Sequence, residues 1–351
     1  MPHFNTDYIV SNPPTRMQLF PRPIPHSSKS LFPLALTRSY TMLPRPPIHW
    51  ILDFDGTITQ QDTLNTLVSI SAATKPSFPT SEHWSRVTKA YLDDYSSTLS
   101  HLAPAKKLPS TLPEEKKRLL NLRPVEERSL ARVSASSIFT GLTWQQLHTG
   151  AQQAVHQGQV RPRTGFTTFY NSINSPSQAN PQNQDKTAIL SVNWSSHFLH
   201  ACLSAFSPCL SPTILANDLD SLSPATPSTP STGHITPNIL SSGDKLQHLE
   251  RLRAQDAMRR PIVYVGDSWT DIEALLAADL GICVRDEPLG ESQRQLTDAL
   301  ERVGVRCLRL RELGEWRVGE GRGEEGGGRV VWVRDWEEIR EFSEGRAFPE
   351  G

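Results

Sequence analysis

The 351 residues carry 36 Lys and Arg against 37 Asp and Glu, a formal net charge of -1, so no overall basic field recruits nucleic acid or an anionic membrane. No apolar run approaches the ~20 residues of a membrane-spanning helix. The four cysteines form no CxxC pair and show no metal-like spacing, and the 37% hydrophobic content is diluted locally by Pro- and Ser-rich stretches.

Residues 1–47 hold many prolines, Arg16, Arg22, Arg38 and Arg45, and a single acid, Asp7. Such a segment cannot pack a core and reads as a disordered tail. Scarce acids with scattered Arg and Ser also suit a mitochondrial presequence, although the prolines oppose its amphipathic helix; Met42 offers an alternative start. The expected compartment is the cytoplasm, or the mitochondrion if residues 1–40 act as a presequence.

Ile48 to Leu52 is a short apolar run ending at Asp53, the pattern of a buried parallel strand. Helical patterns follow at Asp62 to Ala72, Glu82 to Leu92, Pro113 to Leu122, Val125 to Ile138 and Thr143 to His156, punctuated by prolines that include Pro124. Gly165 opens another helix to about Asn171, and Asn174 to Lys186 is a polar loop. Ala188 to Leu190 is a strand, Ser195 to Phe206 a helix, and Ile214-Leu215 a strand. Residues 221–232, almost entirely Ser, Thr and Pro, read as a disordered excursion. Asp244 can cap a helix carrying Leu246, Leu249 and Leu252. Ile262 to Val265 is the clearest buried strand; a helix from Asp271 to Ala278 and a strand from Leu280 to Val284 follow. A Gly/Glu/Arg run, 314–329, reads as a flexible insertion, Val330 to Val333 as a strand, and Asp335 as a helix start with Glu338 in capping-box position.

Strands alternating with helices predict an α/β fold with a doubly wound, mainly parallel sheet. The helical block after the first strand is too long for a crossover. The expected layout is a catalytic core of residues 48–61 and 184–345 and a helical cap of residues 62–183.

Asp53-Phe54-Asp55-Gly56-Thr57 places two carboxylates at the carboxyl end of a buried strand, where open α/β sheets bind ligands. One Asp can attack phosphorus to form an acyl phosphate, and a second can move the protons. Gly56 lets the chain turn tightly. Gly266-Asp267-Ser268-Trp269-Thr270-Asp271 brings further acids to the end of another strand. Converging acids repel one another unless a hard cation such as Mg²⁺ joins them. Ser191 and Lys245 can each meet a phosphate oxygen. Each element alone also has a plain reading as a turn, a helix cap or a solvated charge.

Taken together these elements resemble the haloacid dehalogenase-like hydrolase superfamily, whose pattern is D-x-D-x-T, then Ser or Thr, then Lys, then G-D-x-x-x-D. The resemblance implies Asp53 as nucleophile and metal ligand, and Asp55 as general acid/base with its main-chain carbonyl on the metal. It also implies Asp267 on Mg²⁺, Asp271 supporting that shell, and Thr57, Ser191 and Lys245 on the phosphoryl oxygens. An acid at Asp55 is the phosphatase choice within the superfamily. The helical insert resembles the type 1 cap, and the chain looks most like the phosphoserine phosphatase and methionine-salvage phosphatase branch. Residues Val160 to Phe166, Asn217-Asp218, Gly233 to Thr236 and Asp335 to Ile339 carry that likeness. Asp62 falls where that branch faces its substrate with an acid; it is equally an N-cap. Trp84, Trp144, Phe139 and Phe166 read as cap core rather than substrate slot.

Val192-Asn193-Trp194 departs from the glycines of many relatives. The expected activity is Mg²⁺-dependent hydrolysis of a small phosphorylated metabolite through an aspartyl-phosphate on Asp53. The alternative is a catalytically impaired binding or regulatory module; transfer to a second acceptor ranks below both. The sequence carries no signal of oligomeric state or of substrate identity.

Overall fold

The computed structural model describes residues 46–103, 107–174, 184–313 and 329–345. The tail or presequence reading therefore lies almost wholly outside the described residues, and so does nearly all of the expected 314–329 insertion. The elements in chain order are β1 (His49–Leu52), α1 (Leu64–Thr74), α2 (Thr80–Leu102), α3 (Leu112–Ala135), α4 (Trp144–His156), α5 (Phe166–Ile173), β2 (Lys186–Leu190), α6 (Ser196–Phe206) and β3 (Thr213–Leu215). There follow β4 (Asp218–Leu219), β5 (Ile235–Thr236), α7 (Ser242–Gln255), β6 (Ile262–Gly266), α8 (Ile272–Ala277), β7 (Leu280–Val284), α9 (Glu291–Arg302), β8 (Leu308–Arg309), β9 (Arg329–Val333) and α10 (Trp336–Ser343).

Seven strands form one sheet in the order β3-β2-β1-β6-β7-β9-β8, every pairing parallel. The period-2 pleat sends alternate side chains to opposite faces. Trp50, Leu52, Val263 and Val265 thus join one core with Phe166, Phe169 and Trp336, while Ile51, Ile262 and Tyr264 join another with Leu249, Leu275 and Leu296. Burial on both faces explains why these strands read as unbroken apolar runs. The result is the doubly wound, parallel α/β sheet expected from the alternation of strands and helices. β1 lies between β2 and β6, where chain order reverses, so the crevice beyond its carboxyl end is the natural ligand position. Among the described residues no helix is long and apolar enough to cross a membrane.

Four local readings change. The expected break at Pro124 does not occur: α3 runs through it. A proline inside a helix removes one hydrogen bond and crowds the preceding turn, a penalty of ~3 kcal/mol. Here the ring is exposed, while Leu119, Leu122, Val125, Leu130 and Val133 bury a continuous face that offsets it. The cap of α7 is Ser241, with Asp244 as the reciprocal partner three positions into the helix. α9 escapes the sequence pattern because its apolar face is only Leu296, Ala299 and Leu300 on a polar helix.

Residues 221–232 are not a disordered excursion. The Asp220 carboxylate accepts from the Ser231 and Thr232 hydroxyls, each at 2.6 Å. Gly141 N–H donates to Ser231 O at 2.9 Å and Gln145 N–H to Pro227 O at 3.0 Å. Backbone groups that composition leaves unaccounted for are thus satisfied along the start of α4.

Candidate active site

Parallel register sets the site. Leu52 pairs with Ile189 on one side and Val265 on the other, so Asp53, Ser191 and Asp267 all emerge within one residue of the same level. Asp53 N–H donates to Val265 O at 2.8 Å, which fixes the carboxylate directly above the sheet. Beyond it, Phe54 O accepts from the N–H groups of Thr57, Ile58 and Thr59, closing a tight turn. Gly56 sits in that turn at φ +74°, and a Cβ there would lie 2.4 Å from Asp267 Oδ2. Both the dihedral and the approach require glycine.

Lys245, on the first turn of α7, is fully buried. Its ammonium lies 2.8 Å from Asp53 Oδ1 and 2.7 Å from Asp271 Oδ1. Asp271 is saturated: Tyr264 OH donates to Oδ1 at 2.6 Å, and Ser268 N–H and Oγ–H donate to Oδ2 at 3.0 and 2.8 Å. Gly266 makes room for it, since a Cβ there would meet Asp271 Cγ at 2.5 Å. Asp267 Oδ1 accepts from Thr57 Oγ1 at 2.9 Å. The one hydroxyl proton of Thr57 is therefore engaged by Asp267 rather than held out toward a phosphoryl oxygen.

One oxygen each from Asp53, Asp267 and Asp271 lie within 4.8 Å of one another. Three buried acids face one ammonium, and the charge balance shows it. Burial pushes Asp53 well up; Lys245 opposes this, and Asp271 and Asp267 add to it. Burial, then Asp271, raises Asp267 to about 7. For Asp271 burial also acts upward, but Lys245 and the hydrogen bonds prevail and hold it below the usual range. Burial would lower Lys245, yet Asp271 and Asp53 together raise it. Asp271 is thus the ionised partner of Lys245, while burial and the neighbouring acids hold Asp53 and Asp267 back from ionising. All-oxygen donors whose ionised forms lack a counter-charge fit a hard divalent cation.

Asp55 stands on the other side of the turn. Its Oδ1 accepts from Thr63 N–H at 2.9 Å and Thr63 Oγ1 at 2.6 Å, and its Oδ2 from Asn193 Nδ2 at 2.9 Å. Burial, and next Asp62, raise its carboxyl to about 6. Asn193 is a site residue that motif reasoning missed; it appeared only as a departure from glycine. The buried Asn217 holds its loop by donating to Val192 O and Asn193 O. Ser191 lies at the same strand end, its Oγ accepting from Asn193 N–H at 3.1 Å.

Arg163 and Trp336 also went unrecognised as supports. Arg163 Nε donates to Gly56 O at 2.7 Å while its guanidinium grips Asp286, and Trp336 Nε1 donates to Thr57 O at 2.9 Å. Both brace the turn from the backbone side.

Asp62 is not the N-cap of α1, which is Thr63, one residue further on. The Asp62 Oδ1 accepts from Leu64 N–H at 2.8 Å, and Asp62 also edges a cavity of about 370 Å³ walled by α1, α2, α3 and the Val192–Trp194 loop. Trp84 and Trp144 pack against the core at its edge, Trp84 also lining that cavity, and Phe139 and Phe166 are fully buried as expected. A larger groove of about 520 Å³ between α1 and α4 touches none of the carboxylates of the cluster.

No family model matches the chain. Among solved structures, it is similar to a phospho-aspartyl intermediate analogue of phosphoserine phosphatase, at 15% identity over 85% of this chain and 99% of that one, with a TM-score of 0.44. It is likewise similar to a phosphoserine phosphohydrolase-like protein from Francisella tularensis, at 12% identity over 84% and 99% of the two chains, with a TM-score of 0.43. In sequence it is 25% identical over 247 residues to cold tolerance protein 1 of Saccharomyces cerevisiae, covering 64% of this chain and 74% of that protein. It is 31% identical over 251 residues to a CTO1 family protein of Schizosaccharomyces pombe, covering 67% of this chain and 81% of the relative. The chain belongs to the CTO1 family.

Proposed function

We infer that the protein is a Mg²⁺-dependent phosphatase for a small phosphorylated metabolite, working through an aspartyl-phosphate on Asp53. The observation that carries this reading is the pair of differently held acids on one turn. Asp53 lies against Lys245, while Asp55 is suspended between Thr63 and Asn193 with its carboxyl raised to about 6.

An Asp53 carboxylate oxygen attacks phosphorus and the ester P–O bond breaks. Protonated Asp55 delivers its proton to the departing alkoxide, giving the free alcohol. Asp55, now ionised, takes a proton from the water that attacks the acyl phosphate. Inorganic phosphate leaves and Asp53 is regenerated. A carboxyl with a pKa near 6 suits both proton transfers near neutral pH. Lys245 offsets the negative charge gathering on Asp53 and the phosphoryl group, and the Ser191 hydroxyl would donate to a phosphoryl oxygen. Thr57 acts one step removed, by fixing Asp267.

Mg²⁺ would be held by Asp53, Asp267 and the Asp55 carbonyl, with Asp271 orienting the shell. When bound it supplies positive charge against the phosphoryl oxygens. The helices between β1 and β2 act as the cap, excluding water from the cleft.

The test is turnover of an aryl phosphate with Mg²⁺, and acid-quench trapping of labelled enzyme. Asp53→Asn should abolish both turnover and label. Asp55→Asn should slow both chemical steps and leave detectable acid-stable, hydroxylamine-labile label. Full turnover by Asp53→Asn would eliminate the mechanism. A non-catalytic binding module instead predicts Mg²⁺ binding with no turnover on any ester; the deliberate support of Asp55 by Asn193 speaks against it.

A further inference from the structure

The cavity beside Asp55 has a wall that phosphoryl transfer itself does not require. No carboxylate of the cluster lines it, but Asp62, whose charge acts on the Asp55 carboxyl, does, and Val192, Trp194 and Thr270 are chain neighbours of Asn193 and Asp271, so the cavity lies next to the cluster on the side of the helical insert. With phosphate at the cluster, it is the space left for the alcohol part of the ester; this step rests on the phosphatase reading. Its volume of about 370 Å³ suits a small ligand.

The lining is specific in charge. Trp84 and Trp194 meet edge to face with ring centroids 5.8 Å apart, and Tyr91 adds a third aromatic ring. The ionisable carboxyls in the wall are Asp62 near the cluster and Glu126 on α3, whose Oε1 accepts from Tyr91 OH at 3.0 Å. Among the described residues lining it, none is Lys, Arg or His. Aromatic faces with carboxylates attract a cation, because ring quadrupole and formal charge act in the same direction. An alcohol bearing its own carboxylate would meet Asp62 and Glu126 with no counter-charge in the wall.

We propose that this cavity binds a cationic alcohol moiety, so that the substrate is the phosphate monoester of an amino or quaternary-ammonium alcohol. The departure from the family pattern at Val192 and Trp194 then supplies the wall against which the cation packs. Burial pushes the Glu126 carboxyl up to about 7, and a cation seated beside it favours the ionised form.

The test compares phosphocholine with 3,3-dimethylbutyl phosphate, which has the same shape without the charge, and with phosphoserine; an aryl phosphate is the control. With Mg²⁺, kcat/KM for phosphocholine should exceed that for the neutral isostere and for phosphoserine by about tenfold or more. Glu126→Gln, checked for an unchanged melting curve, should erase most of that preference, and should do so through KM rather than kcat. Equal use of the neutral isostere, or preference for phosphoserine, overturns the proposal while the phosphatase reading stands. If no ester, the aryl phosphate included, is cleaved, the phosphatase reading fails. Tryptophan fluorescence titration then decides the cavity: choline binding about tenfold tighter than 3,3-dimethylbutan-1-ol supports a cation site, and equal binding refutes it.

Discussion

Lys245→Met separates the electrostatic account of the site from a merely steric one. Methionine nearly preserves length and volume, so packing changes little. What disappears is the ammonium at 2.8 Å from Asp53 and 2.7 Å from Asp271, in a position with no solvent exposure. Removing one partner from a buried ion pair typically destabilises a protein by about 3–5 kcal/mol, because the other charge stays buried and uncompensated. In a domain of this size, ~2 °C of melting temperature accompanies each kcal/mol, so the metal-free variant should melt about 6–10 °C below the parent. The assay is thermal unfolding in EDTA at neutral pH. A second variant, Lys245→Met/Asp271→Asn, removes one of the stranded charges, and the amide oxygen introduced there can still accept from Tyr264 and Ser268. It should regain a substantial part of the loss while remaining inactive, since Asp53 still lacks its counter-charge. A Lys245→Met protein that melts with the parent would refute the reasoning.

Three further outcomes follow from the same geometry. Asp62 is the second cause, after burial, of the raised Asp55 carboxyl, so Asp62→Asn should move the alkaline limb of kcat/KM, centred near pH 6 by Asp55, to lower pH; a limb that stays put removes Asp55 as the titrating acid. Gly56→Ala should cost at least ~1–2 kcal/mol for the left-handed backbone alone and should weaken Mg²⁺ binding, measured by calorimetry, because a methyl 2.4 Å from Asp267 Oδ2 displaces that carboxylate. Asp267 has a folded pKa near 7, above the ~3.9 of an unfolded aspartate, so the folded state binds the extra proton and metal-free stability falls as pH rises between the two values. Asp267→Asn should accordingly raise the melting temperature in EDTA at pH 8 but not at pH 4, and a pH-independent effect would contradict the assignment.

What the sequence made legible was chemistry tied to strand ends. Asp53 and Asp267 could be placed because a buried parallel strand shows as an apolar run and its last residue must face the crevice; register then does the rest. Lys245 was legible as a motif but not as a fully buried ammonium shared between Asp53 and Asp271, since a lysine at a helix start is usually solvated. Other elements were hidden for physical reasons. α3 crosses Pro124 because its opposite face is packed, and neighbouring residues do not report what a face packs against. The 221–232 segment is ordered by backbone and hydroxyl hydrogen bonds to Asp220, Gly141 and Gln145, which leave no hydrophobic period to read.

Asn193 exposes the limit of motif logic most clearly. The motif expects small residues after Ser191, so Val192-Asn193-Trp194 reads as damage to a phosphate loop. In three dimensions the same residues divide into two roles: Asn193 turns inward to hold Asp55, and Val192 and Trp194 turn toward the cavity. A loop that had merely lost its function would have no reason to donate to the Asp55 carboxylate at 2.9 Å while a buried Asn217 fixes its backbone. The departure is better understood as a trade of backbone openness for a shaped, apolar and aromatic wall. The residues least like the family pattern are then the ones that should decide which ester this chain accepts.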